Sequence, residues 1–137
     1  GYFVPKISKN VADAIKLLKI GAPLNLIVLV FIIYLGSKAG AFHLSLFVVS
    51  CIFLSLAQPA VGLAFSLTNA GKALTSFNLL IFIGAFVMQW IIGIIIDFTI
   101  YLGFSEILGF KAGMMFVLIT SFFSYLFFLL KNIYYKT

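Results

Sequence analysis

Charge is what this sequence has least of. Only 9% of its 137 residues are Asp, Glu, Lys or Arg, against roughly 25% in an ordinary soluble domain. Arginine is absent, so all nine cations are lysines. The acidic set is Asp13, Asp97 and Glu106, and there is one histidine (His43) and one cysteine (Cys51). A lone cysteine excludes an internal disulfide framework. One His and one Cys do not make a zinc site. No nucleophile–base pair, phosphate loop or metal-ligand spacing is present. With so little material for an active site, neither an enzyme nor a bound cofactor is expected.

What the chain has instead is oil. Hydrophobic residues make up 64% of it, and the mean hydropathy is +1.26. Uncharged runs of this length cost little to place in hydrocarbon and much to leave in water. Four candidate spans follow: about 20–36, 41–67, 75–97 and 111–130. The second carries Pro59 in its interior, which membrane helices tolerate when neighbours satisfy the freed carbonyl. The intervening connections, 37–40, 68–74 and 98–110, are short, so neighbouring helices should run antiparallel. The expected fold class is an all-α integral membrane protein with four antiparallel transmembrane helices.

The formal charge of +6 tests the count of spans. Lys6, Lys9, Lys16, Lys19, Lys72, Lys131 and Lys136 fall on one face of a four-span topology, and Lys38 and Lys111 on the other with Asp97 and Glu106. That asymmetry matches the positive-inside rule and puts both termini in the cytoplasm. It also explains the lysines without nucleic acid, leaving the lipid bilayer as the expected partner. The first twenty residues lack a compact apolar core ending in small residues, so no cleavable signal peptide is expected.

Residues 1–19 read as a cytoplasmic amphipathic segment ahead of the transmembrane region at 20–137. Val4, Ile7, Val11, Ala14, Ile15 and Leu18 keep helical spacing, with Lys6, Lys9, Asp13 and Lys16 on the other side. A short interfacial helix is the plain reading. Tyr101, Phe104 and Phe110 suit the aromatic belt at the far surface.

Polarity separates the spans. The first has little beyond Asn25, and the fourth only Thr120, Ser121, Ser124 and Tyr125, so both suit lipid contact. The second carries Cys51, Ser55, Gln58 and Gly62 along one side. The third carries Asn78 and Gln89, eleven residues or about three turns apart and so on one face. These stripes fit helix–helix packing, in which small residues permit close approach and amides bond across the seam. They equally fit a polar cavity or solute path, since polar groups in such runs face protein or water. The candidates for cavity-facing positions are Gln58, Asn78, Gln89, Ser55 and Trp90. For Trp90 packing is the plainer role, for His43 an interfacial position, for Asp97 a solvated cap and for Lys72 a turn charge. The pairs Ala60/Ala64 and Gly36/Gly40 have small-xxx-small spacing.

The run AGKALTSFNLLIFIGAFVMQWIIGIIIDF resembles the eleventh helix of bacterial major facilitator superfamily transporters with the loop before it. The resemblance rests on Ala70-Gly71-Lys72, Asn78, Gly84, Gln89-Trp90, Gly93 and Asp97, with Lys72 in place of the usual Arg. The preceding QPAVGLAF is similar to the tenth helix. The opening Gly1–Lys9 is similar to the loop between the eighth and ninth helices, with its cation spacing kept at Lys6 and Lys9 but Pro5 in place of Asp and Ser8 in place of Gly. The resemblance implies that these are the last four helices of twelve, part of a six-helix bundle in a bacterial inner membrane. It also implies a cytoplasmic loop role for Lys6, Lys9, Gly71 and Lys72, a central cavity lined by the second and third spans, and missing N-terminal helices as partners.

The function expected on these grounds is secondary active transport of a small solute. A stand-alone four-helix subunit or assembly factor acting by helix contact is the alternative. Asp97 caps the outer end of the third span and no carboxylate is embedded deeper, so any proton coupling would come from other helices.

Overall fold

The computed structural model describes residues 11–134, so Lys6, Lys9, Lys136 and the start of the amphipathic segment lie outside the described residues. Helix α1 runs Val11–Leu35, followed by a 3-10 turn at Gly36–Lys38. Helix α2 is Ala41–Cys51, a second 3-10 turn is Leu54–Leu56, and α3 is Ala57–Ala64. Helices α4 (Leu67–Tyr101) and α5 (Glu106–Tyr134) complete the fold. No strand occurs among the described residues. Four helical segments are long and apolar enough to cross a membrane: Ile15–Lys38, Ala41–Ala64, Leu67–Tyr101 and Glu106–Lys131.

The rods form a ring. Helix α1 packs on α2, α3 and α5, and α4 packs on α3 and α5. The antiparallel order gathers Lys16, Lys19, Lys72 and Lys131 at one end, and Lys38, Lys111, Asp97 and Glu106 at the other.

Helix boundaries depart from the sequence reading in three places, each for a local reason. The 41–67 run is not one helix but α2 and α3 joined by the 3-10 turn. Pro59 causes the break: its ring collides with the carbonyl four residues back, which forbids a continuous α-helix through Ser55. Pro59 itself sits in the first turn of α3, where backbone N–H groups have no intrahelical partner anyway. Ser55 helps satisfy the disrupted stretch by donating to Ile52 O at 2.7 Å. Second, 68–74 is helical rather than a loop, so Gly71 and Lys72 lie in the opening turns of α4. Ala, Leu and Lys are strong helix formers and Gly71 alone does not stop them. Third, the far connection shrinks to residues 102–105. Helix α4 ends in a Schellman turn, with Gly103 at φ +84°, its N–H on Ile100 O, and the Phe104 N–H on Thr99 O. Ser105 then opens α5 by accepting from the Leu108 N–H at 3.4 Å, and Glu106 complements the helix dipole in the first turn.

The interior is not where span polarity alone would put it. Val28, Leu29, Ile32 and Ile33 of α1 are buried, together with Asn25 and Gly21. These positions make one seam at helical spacing. A third (33%) of the apolar window of α1 is buried, against 0% for α4. Within this four-helix unit the first span is therefore the inner one and the third the most exposed, which reverses the expected places of those two; the fourth, 6% buried, stays outer. Close backbone approach decides it. A Cβ on Gly21 would overlap Phe53 Cβ, so α1 and the second rod meet at backbone distance. Gly84 has no atom within 4 Å of such a Cβ, and the same holds for Gly93.

Helices α4 and α5 meet through another pair of glycines. A Cβ on Gly109 would lie 3.3 Å from Ile96 O, and one on Gly113 would lie 3.0 Å from Ile92 Cγ2. This is the small-xxx-small contact of the fold. At Gly40, by contrast, nothing lies within 4 Å, and Gly36 serves a helix end at φ +55° beneath the Lys111 side chain.

Candidate functional site

Amides and hydroxyls divide into two groups in the fold. The first is a seam between α3 and α4. Gln58 Nε2 donates to Asn78 Oδ1 at 2.5 Å, and Gly62 brings α3 within van der Waals reach of Leu74. Two of the five cavity candidates thus come together, as partners for each other. Gln89 and Trp90 do not join them; both are exposed on α4, and Trp90 retains 65% of its surface. Ser55 turns its hydroxyl back on Ile52 O. Cys51 and Gln58 share a side in a straight helix, but the 3-10 turn between them separates their roles. Cys51 faces Asn25 of α1 and Gln58 faces α4.

The seam is open at its edge, so its bond competes with outside partners. Gln58→Leu and Asn78→Leu should each cost little, with a coupling of about 0.6 kcal/mol in a double-mutant cycle. Denaturation of the purified chain in detergent measures that coupling, and a value indistinguishable from zero would show that the bond does not tie α3 to α4.

The second group surrounds a central cavity of about 550 Å³ to which all four rods contribute. Ala22 and Asn25 come from α1, Leu54 and Ala57 from the second rod, and Met88 from α4. Helix α5 presents Thr120, Ser121, Ser124 and Tyr125. The walls carry no ionisable group except the Tyr125 phenol, and none of the five candidates read from the sequence is among them. Thr120 binds its own helix at Phe116 O and Val117 O. Asn25 is buried and donates to Ser50 Oγ at 2.8 Å and Cys51 Sγ at 3.2 Å. That pair fastens α1 to α2 beside the Gly21 contact.

Tyr125 shows how the cavity floor is built. Pro23 lies inside α1 and has no N–H, so the Lys19 carbonyl one turn back loses its helix partner. The Tyr125 hydroxyl donates to Lys19 O at 2.9 Å. A proline in one helix and a phenol 102 positions along the chain are thus a single device. The sequence signal for half of it is plain, since an intrahelical proline always frees a carbonyl, but nothing in the pattern names the donor.

The remaining singled-out residues have local roles. His43 Nδ1 accepts from the Gly40 N–H at 3.2 Å, closing the first turn of α2, and its ring lies against Phe31 and Phe42. Lys72 and Asp97 are exposed. Gly71 offers its carbonyl to Thr75 Oγ1 at 2.9 Å. Among the described residues no group of three His, Cys, Asp or Glu is placed to hold a metal.

No protein-family model, curated protein or solved structure matches this chain.

Proposed function

We propose that this chain is the membrane-embedded C-terminal portion of a secondary transporter of major facilitator type, with four of its helices belonging to one bundle. The observation that carries the reading is the open side of α4. Residues 79–87 are exposed all the way around. Farther along, Gln89, Trp90, Gly93 and Asp97 fall on one side of the helix by their spacing, and no atom lies within 4 Å of a Cβ built on Gly93. These four are among the residues on which the resemblance to an eleventh helix rests. In a transporter of that type, alternating access comes from two bundles rocking about a midplane site. The open side of α4 would meet the opposite bundle across that path, with Gln89 and Trp90 toward the solute. Amides hydrogen-bond a polar solute without selecting its charge. The lysine-rich end would face the bacterial cytoplasm, by the positive-inside rule.

The same open side favours a second reading, a four-helix subunit that docks on a larger membrane complex. The reading frame upstream of Gly1 separates the two. The transport reading expects about eight further apolar segments in frame, the remainder of two six-helix halves. A start codon immediately before Gly1, with its ribosome site, would favour the subunit. With the complete gene in hand, Gln89→Leu should lower solute uptake by membrane vesicles at least about tenfold, equivalent to a lost hydrogen bond of roughly 1.4 kcal/mol in the transport step. Unchanged uptake at normal expression would remove Gln89 from the path.

A further inference from the structure

The central cavity holds hydrogen-bonding atoms that the protein does not use. Ser50 commits its proton to Phe47 O at 2.6 Å, so Asn25 must turn its amide nitrogen, not its oxygen, toward Ser50 Oγ. Asn25 Oδ1 is then left without a partner among the described residues, on a side chain only 6% exposed. Ser121 and Ser124, three residues apart on the α5 face of the same cavity, likewise make no hydrogen bond among the described residues. Of the three only Asn25 is buried, while Ser121 is half-buried and Ser124 exposed at the mouth of the cavity; a buried polar atom without a partner is rare and calls for a water or a ligand.

The rest of the cavity restricts what that ligand can be. Leu18, Leu26, Leu54, Met88 and Phe128 make most of the wall apolar. No Lys, Asp or Glu lines it, so a charged molecule would lose its hydration with no opposite charge to replace it. The volume of about 550 Å³ lies within the usual range for small-molecule sites.

We propose that this cavity binds an uncharged amphiphile. Its apolar body packs between Leu26, Leu54, Met88 and Phe128. A hydroxyl or amide head donates to Asn25 Oδ1 and exchanges hydrogen bonds with Ser121 and Ser124. The site is separate from the open side of α4, so it goes beyond the transport reading and stands equally in a docking subunit.

The test is photolabelling of the full chain in nanodiscs of phosphatidylcholine and phosphatidylglycerol, using dodecan-1-ol with a mid-chain diazirine. Labelling should concentrate on Leu26, Leu54, Met88 or Phe128, saturate, and be competed by unlabelled dodecan-1-ol but not by dodecanoate. Ser121→Ala/Ser124→Ala, which touches no bond that holds the helices together, should weaken labelling about fivefold. Ala22→Trp should fill the cavity and abolish it. Competition by dioleoylglycerol as well identifies the natural occupant as a neutral lipid; competition by the alcohol alone identifies a free solute. Unsaturable labelling spread over outward residues such as Phe82 and Phe86, or equal competition by dodecanoate, would overturn the proposal. Because the readout is binding, an absence of transport leaves it unaffected.

Discussion

Gly21→Val should cost roughly 3 kcal/mol of stability, the upper part of the range for overpacked interiors. A Cβ at this position would overlap Phe53 Cβ, an atom fixed to its own backbone that cannot swing aside. Helix α1 would have to move away from the second rod, taking with it the Asn25 bonds to Ser50 and Cys51. Intrinsic propensity works the other way, since valine is a better helix former than glycine by a few tenths of a kcal/mol. A loss of stability therefore reports the contact and not the helix. Gly84→Val is the control: nothing lies within 4 Å of its Cβ, and stability should change by less than about 0.5 kcal/mol. Denaturant titration of both variants in detergent, followed by circular dichroism, makes the comparison. Equal tolerance at the two glycines would mean that α1 is not the packed helix.

Tyr125→Phe should be the next most damaging change, at about 2 kcal/mol. It deletes one oxygen and strands the Lys19 carbonyl that Pro23 has already deprived of its helix partner. An unsatisfied backbone group in an apolar setting carries most of its desolvation penalty. Pro23→Ala supplies the missing N–H, so on that background Tyr125→Phe should cost under about 0.5 kcal/mol. The resulting coupling, about 1.5 kcal/mol, is the quantity to measure. Additive effects would mean that the phenol stabilises α5 by packing alone.

The existence of four rods was legible because long uncharged runs and lysine placement constrain it from two independent directions. Their junctions were less so. Pro59 announces a disturbance, but whether a membrane-length helix bends or splits depends on donors such as Ser55 that only the fold positions. The 68–74 stretch looked like a connection because it is polar, yet four of its seven residues (Ala70, Lys72, Ala73 and Leu74) are good helix formers, and polarity at the end of an apolar run does not by itself stop a helix.

The candidate site was half legible. Gln58 and Asn78 do meet, as two facing amides on adjacent rods should. The central cavity was not foreseen, because it depends on which helix lies innermost. Counting polar residues marked α1 as the outer helix, whereas Gly21 and Asn25, four residues apart, were the signal for close packing. Gly109 and Gly113 carried the same message for α5. Small residues at helical spacing say that a helix approaches something closely, but not which neighbour it approaches.

Four helices that cross a bilayer in alternation, with the lysine-rich ends on one side, underlie both the transport reading and the docking alternative. Single cysteines in a Cys51→Ser background, probed with a membrane-impermeant maleimide on intact cells and on inverted vesicles, test this directly. Cysteines replacing Ser37 and Ser105 should react from outside the cell, and one replacing Asn69 only from the cytoplasmic side. Reaction of the Ser37 and Asn69 positions from the same side, or recovery of the chain in the soluble fraction without detergent, would contradict it.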